Sequence, residues 1–408
     1  MKRNFYLLSF MLILGACATT STGPSYQSLD QKAKKSIEDA FVSSDPFDVS
    51  ISLFNPGIPT NASDYGEDGV WPELRRAEAL RFAVSLRDIM TESGFYGAVR
   101  VTPDLSSSSD LYVKAKILSS NGEDISLKVT VTDSSGRAWI NNKKYSYRVK
   151  PITFSNPRNK KDNKLIVAPY EPLFKKINSD IEKYLSRRVK AKEADKINVI
   201  TDLRFAQNFS PEAFSSVLKK RGTSYSLNGK PSKNDPMLKR VKSIQYRDQM
   251  FIDTMQTHYD GFNIGMDSSY KIWQEQSFAE SKAAREATNA AFWQGVAGAV
   301  VLVASAAAAA DSDSYSAARN TAIVGGAVAG SLFSESFKSS QEAKIHRDSL
   351  NEIGSSIDGS LSPSVIEMED TTVTLTGTAS EQSLQWKAIL KKIYLSESET
   401  TKKVEVLN

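Results

Sequence analysis

The stretch DLYVKAKILSSNGEDISLKVTV, residues 110–131, leaves few ways to fold. Leu111, Val113, Ala115 and Ile117 alternate with other side chains, and Ile125, Leu127, Val129 and Val131 repeat the pattern after a break. A period of two puts each set on one face of a strand. Asn121-Gly122 between them is the preferred chemistry of a tight hairpin, because both residues tolerate positive φ. Asp133-Ser-Ser-Gly136 then turns the chain into RAWINNKKYSYRV, a third strand. The expected product is an antiparallel sheet with one apolar face packed on a helix and one polar face.

The helix lies upstream. In VWPELRRAEALRFAVSLRDIMTESG, Pro72 suits the first helical turn, and Ala79, Phe82, Ala83, Leu86 and Met90 recur at helical spacing. Arg75, Arg76 and Arg87 fall elsewhere, on the expected surface, and Gly94 is placed to cap the end. AKKSIEDAF before it reads as a helix. FDVSISLF (47–54), stopped by Asn55-Pro56-Gly57, and YGAVRVT read as strands. Residues 32–150 thus form an α+β domain. Its order of elements, the helix closing on SGFYGAVRV, and the Asp133, Gly136, Trp139 spacing in DSSGRAW carry a likeness to known proteins. The segment resembles the periplasmic α/β domain of outer-membrane lipoproteins, such as the curli secretion channel subunit and the activators of peptidoglycan synthases. That resemblance implies a domain that binds partner proteins or builds rings without catalysis. The membrane-spanning β-hairpins of the curli subunit have no counterpart in this sequence.

The first residues, MKRNFYLLSFMLILGAC, have a basic start and an apolar run from Phe5 to Leu14, too short for a spanning helix. Leu14-Gly15-Ala16-Cys17 resembles the lipobox of bacterial lipoproteins. Cys17 is the only cysteine in the chain, so a disulfide within it is impossible and lipidation explains the residue. Residues 1–16 are expected to be a signal peptide and 17–31 a lipidated polar tether. Ala18, by the same resemblance, favours the outer membrane, with the protein facing the periplasm and held in the lipid bilayer by acyl chains such as palmitate.

Residues 151–232 read as a basic loop (PITFSNPRNKKDNK) and a helical linker region. A helix is expected around 170–195 and another in FSPEAFSSVLKKRG, with GTSYSLNGKPSKNDP as a linker. From Pro236 to about 289 the pattern is helical. Val241, Ile252, Met255, Tyr259, Phe262, Met266, Tyr270 and Trp273 form a narrow seam of the coiled-coil kind, with Gly261 and Gly265 permitting a bend. No ionisable group then occurs between Glu286 and Asp311, and a second small-residue run spans 320–333. Gly295, Gly298, Gly326 and Gly330 have the spacing of close helix contact, so a glycine-zipper helical hairpin is expected within 233–340. It packs on itself or a sister chain, enters a membrane, or stays partly ordered. Residues 341–408 read as a small α+β module (helix, strand, strand, helix, and KVEVL as a closing strand) resembling the BON domain of periplasmic proteins.

Chemistry is sparse. The two histidines, His258 and His346, lie far apart, and no nucleophile elbow or Gly-rich phosphate loop occurs. No catalytic, metal-binding or cofactor-binding residues are assigned, and DYGED (64–68) reads as a solvated loop. The net charge of +5 includes Lys2 and Arg3 of the expected signal, so bulk charge makes no case for nucleic acid. The basic stretches 158–161, 186–192 and 218–222 read as solvated faces that alternatively meet anionic lipid or peptidoglycan. The sequence thus points to an α+β lipoprotein that is a non-enzymatic structural or assembly factor of the cell envelope, binding protein partners or self-associating. A subunit of an oligomeric export pore is the alternative, followed by a peptidoglycan-acting enzyme.

Overall fold

The computed structural model describes residues 28–63, 65, 70–150, 168–232, 234–293, 348–352, 354–355, 364–367 and 372–407. The fold is α+β. Its centre is a five-stranded sheet in the order β2-β1-β3-β4-β5, built from β1 (Val49–Ser52), β2 (Val99–Thr102), β3 (Leu111–Ser120), β4 (Asp124–Asp133) and β5 (Ala138–Arg148). The hairpins are antiparallel as expected, with Val113 opposite Val131 and Leu127 opposite Tyr145. The sheet as a whole is mixed, which corrects the expectation of an antiparallel one. Val49 of β1 pairs in parallel with both Val99 and Leu111. Because β1 lies inside the sheet and is covered on both faces, all four of its residues are buried. Ser50 and Ser52 are therefore inside, satisfied by Thr102 Oγ1 at 3.1 Å and the Val113 carbonyl at 3.4 Å.

Helices α1 (Gln31–Ala40), α2 (Pro72–Ser93) and α3 (Glu171–Arg188) pack together and against the sheet. Helix α2 ends at Gly94 in a left-handed cap, φ 71°. A single helix around 170–195 is not formed. Val189 adopts an extended conformation and plugs the core, 1% exposed, so α3 stops and α4 (Ala191–Phe209) begins two residues later. After the single turn α5 (Pro211–Phe214), Leu218–Arg221 is strand β6 rather than helix, and β7 (Ser224–Leu227) lies within the segment expected to be a linker. Leu218 is buried opposite Leu227, which gives this hairpin its one anchor.

The turn at Asp133 shows what its spacing is for. Asp133 Oδ1 accepts from the backbone N–H groups of Ser135 (2.9 Å) and Arg137 (3.1 Å), and Oδ2 accepts from Trp139 Nε1 at 2.9 Å. Gly136 has φ 85°, and a Cβ there would lie 2.1 Å from the Thr223 carbonyl oxygen of the β6–β7 turn. Only glycine meets both demands.

Helix α6 runs unbroken from Pro236 to Trp293, 58 residues or roughly 85 Å. Asp235 caps it, accepting from the N–H groups of Met237 and Leu238. Gly261 and Gly265 are exposed and do not interrupt it. Its apolar seam covers this chain's own domain instead of a coiled-coil partner: Val241, Met255, Tyr259, Met266 and Tyr270 are at most 2% exposed. A narrow stripe suits either surface, and the open edge of β2 supplies the second. At that edge Gln256 acts as a substitute strand. Its Oε1 accepts from Val101 N–H at 2.9 Å and its Nε2 donates to the Val101 carbonyl at 2.8 Å. Gln256→Leu leaves both groups unpaired and is expected to destabilise by about 1–3 kcal/mol in urea titrations. A loss below a few tenths would mean that water serves this edge equally well.

At the C-terminal end, β8 (Ser364–Glu367) and β9 (Thr372–Leu375) form a hairpin followed by α7 (Ala379–Leu407). Thr378 and Glu381 form a reciprocal capping box at its start. KVEVL, expected as a closing strand, continues α7, since no Gly or Pro stops the helix after Gly377. Trp386 packs on Phe251 and Tyr394 on Phe209, so one apolar core runs from Ile37 to Tyr394.

Candidate functional site

The sequence-assigned groups Cys17, Gly295, Gly298, Gly326 and Gly330 lie outside the described residues, as do His346 and the basic stretch 158–161. His258 is half-buried on α6. Among the described residues, no group of three or more His, Cys, Asp or Glu is placed to hold a metal ion, and no helix is long and apolar enough to cross a membrane.

What the structure does assemble is a long docking face for α6. From Gln249, which donates to Asp48 at 3.3 Å, through Asn263, which accepts from Arg81 at 3.3 Å, to Tyr270, polar anchors recur every three or four residues beside the apolar seam. Gln245 donates to Ser108 Oγ at 2.9 Å, and Asp253 takes both arms of Arg100 at 2.6 and 3.0 Å. After Gln256 come Asp260 with Arg87 at 2.6 Å and Asp267 with Arg81 at 2.7 Å. Ser281 donates to the Asn121 carbonyl at 2.8 Å, and Arg285 pairs with Glu123 at 2.7 Å. Burial pushes the Asp267 carboxyl up, but Lys271 and Arg81 outweigh it and hold the group below the usual range. Each half-exposed pair contributes at most about 1 kcal/mol. Their number and period fix the register of the helix. Gly122 permits the closest approach: φ is 83°, and a Cβ would meet Ser277 Cβ at 2.6 Å.

In the middle of this face sits a buried polar knot. Glu78 Oε1 accepts from Ser120 Oγ at 2.6 Å and from the Tyr270 hydroxyl at 3.0 Å. Arg75 Nε lies 3.9 Å from its other oxygen, and the Arg81 guanidinium covers the Tyr270 ring at 4.5 Å. Burial raises the Glu78 pKa, against the opposing pull of Arg75 and the two hydroxyl donors. Arg75, expected on the surface, is 4% exposed, because α6 closes over a face of α2 that looks solvated in sequence.

A second polar cluster lies where the β2–β3 loop folds inward. Ser107, Ser108, Ser109 and Asp110 are all buried. Asp110 accepts from Asp48 N–H at 2.9 Å and from Thr201 Oγ1 at 2.6 Å. Its pKa is pushed up to about 7 by burial, with the Asp48 and Asp202 charges adding and the two hydrogen bonds opposing. These residues couple β1, β3 and α4.

The signal for the docking face was present. Asp253, Gln256, Asp260 and Asp267 keep the 3–4 spacing of the apolar seam beside them, a pattern that marks a helix packed on a polar edge. No family model, curated protein or solved structure matches the chain.

Proposed function

We propose that the protein is an outer-membrane lipoprotein, anchored through acylated Cys17 and facing the periplasm, that serves the cell envelope as a non-enzymatic structural or assembly factor. It binds protein partners or self-associates. The observation that carries this reading is the docked helix: a 58-residue element held along one face by anchors from Asp253 to Arg285 makes the domain and the helix a single stiff body. Stiff, extended bodies suit holding partners at set distances. The resemblance of Leu14-Gly15-Ala16-Cys17 to a lipobox supports a membrane location for that body.

Cys17→Ser is expected to abolish palmitate labelling, and residues 18–408 exported under an unrelated cleavable signal are expected in the soluble periplasmic fraction, as a monomer or small oligomer by light scattering. A variant that is still acylated rejects the anchor. An unacylated protein extracted only by detergent, as a large ring, replaces the scaffold reading with the export pore.

A further inference from the structure

A cleft of about 650 Å³ opens where α3 hands over to α4, walled on the far side by Leu227 and Gly229 at the foot of the β6–β7 hairpin. Its charge is lopsided. Two carboxylates line it, and each already has a cation: Glu193 pairs with Arg137 at 2.9 Å and Asp195 with Lys230. Arg188, Lys190, Lys192 and Lys196 remain, and none of the four forms an ion pair among the described residues. The nearest contact of Lys190 is the neutral Ser36 hydroxyl at 3.4 Å.

The local rules of folding explain only one of these charges. Arg188 sits in the last turn of α3, where a cation complements the helix dipole. Lys190 is the opposite case. It occupies the N-cap of α4, where Ser, Thr, Asp or Asn is preferred, and no side chain caps that end. Lys192 lies in the first turn and Lys196 one turn further, so all three lysines crowd the positive end of the helix. The fold accepts this repulsion with no compensating carboxylate to spare, which is the mark of a site kept for something outside the chain.

The corner is also rigid. Val189 is buried beneath it, and Ser134 Oγ donates to the Ile197 carbonyl while Arg204 donates back to the Ser134 carbonyl. The backbone that carries the cations is therefore held in place, while the exposed side chains among them stay free to reach a ligand.

We infer that this cleft binds a phosphate-bearing ligand carrying two or more negative charges, of the size of a phosphorylated sugar or lipid headgroup. Three lysines act as point charges toward phosphate oxygens, Arg188 adds a planar fork, and half-buried Leu227 offers an apolar wall. Among the described residues, no aromatic side chain lines the cleft, which does not suit the base-stacking platform of a single-stranded nucleic-acid site. The inference stands whether or not Cys17 carries lipid.

The test uses residues 18–408 and inorganic pyrophosphate as the probe, followed by titration calorimetry at low salt. Lys190→Gln with Lys192→Gln is expected to weaken binding about tenfold or more. Lys219→Gln with Lys220→Gln, which removes the same charge from exposed β6 outside the cleft, is expected to leave the Kd unchanged. Both pairs are exposed, and matching thermal melts confirm intact folds. Equal weakening by both pairs, or no binding by the unmodified protein, overturns the inference. Sedimentation with phosphatidylcholine vesicles, with and without phosphatidylglycerol, separates the sources. Cleft-dependent vesicle binding places the phosphate on a lipid; pyrophosphate binding without it places the phosphate on a soluble or glycan ligand.

Discussion

Asp110→Asn is expected to flatten a slope that the unmodified protein shows between about pH 4 and pH 7. Asp110 is 7% exposed and its pKa is pushed from 3.8 up to about 7, first by burial and then by the Asp48 and Asp202 charges. The folded value lies above the unfolded one, so folding favours the protonated form. That stabilisation is complete below about pH 3.8 and is lost as the pH rises through about 7. At about 1.4 kcal/mol per pH unit, the difference between acid and neutral conditions is about 4 kcal/mol for this group. Asp248, raised to about 6 by burial against the pull of Lys387 and Arg100, works in the same direction. Asp180 and Asp267, both held low by cations, work in the opposite one. The measurement is therefore a difference: urea unfolding of the unmodified protein and of Asp110→Asn across pH 4–8. Parallel curves would mean that Asp110 is solvated in the folded state.

Glu78→Ala is expected to cost about 3–5 kcal/mol, because it leaves Arg75 as an unpaired buried charge and strips acceptors from Ser120 and Tyr270. Glu78→Gln also leaves the Arg75 charge unpaired but keeps the shape and an acceptor for Ser120 and Tyr270, so its loss reports the charge and the remainder of the Glu78→Ala loss reports the acceptors and packing. The pair of variants separates charge from packing. Because burial raises the Glu78 pKa, its contribution also declines as pH rises past 4.5, and Glu78→Gln should remove that decline. Urea midpoints at pH 5 and 8 test both statements. A Glu78→Ala protein within about 1 kcal/mol of the unmodified one would show that Arg75 finds its own partners when the carboxylate is gone.

The parts of this fold that sequence reveals are the local ones. Asn121-Gly122 and the alternation on either side decide the β3–β4 hairpin within twenty residues, and the Asp133–Trp139 turn closes on itself. The parallel pairing of β1 is different, since its partners Val99 and Leu111 lie about fifty and sixty positions away and no local signal marks them. The break between α3 and α4 contains neither Gly nor Pro, so periodicity runs straight through it. Glu78 and Arg75 look like an exposed i, i+3 pair because the element that buries them, α6, is nearly two hundred residues downstream, with Tyr270 192 positions from Glu78. Of the basic cleft, Arg188, Lys190 and Lys192 were legible as the basic stretch 186–192, but not their sharing a cleft with Lys196 and Leu227. What unites them is the corner between two helices, which exists only in three dimensions.

The glutamine that completes the edge of β2 has a consequence for timing. Gln256 lies 155 residues beyond Val101. A chain that emerges amino end first, at about 5–20 residues per second, leaves that edge unmatched for on the order of ten seconds. Open strand edges recruit other strands. The sheet is thus complete in its own hairpins long before it is closed to neighbours, and the newborn protein passes through an interval in which a holding chaperone is of greatest use.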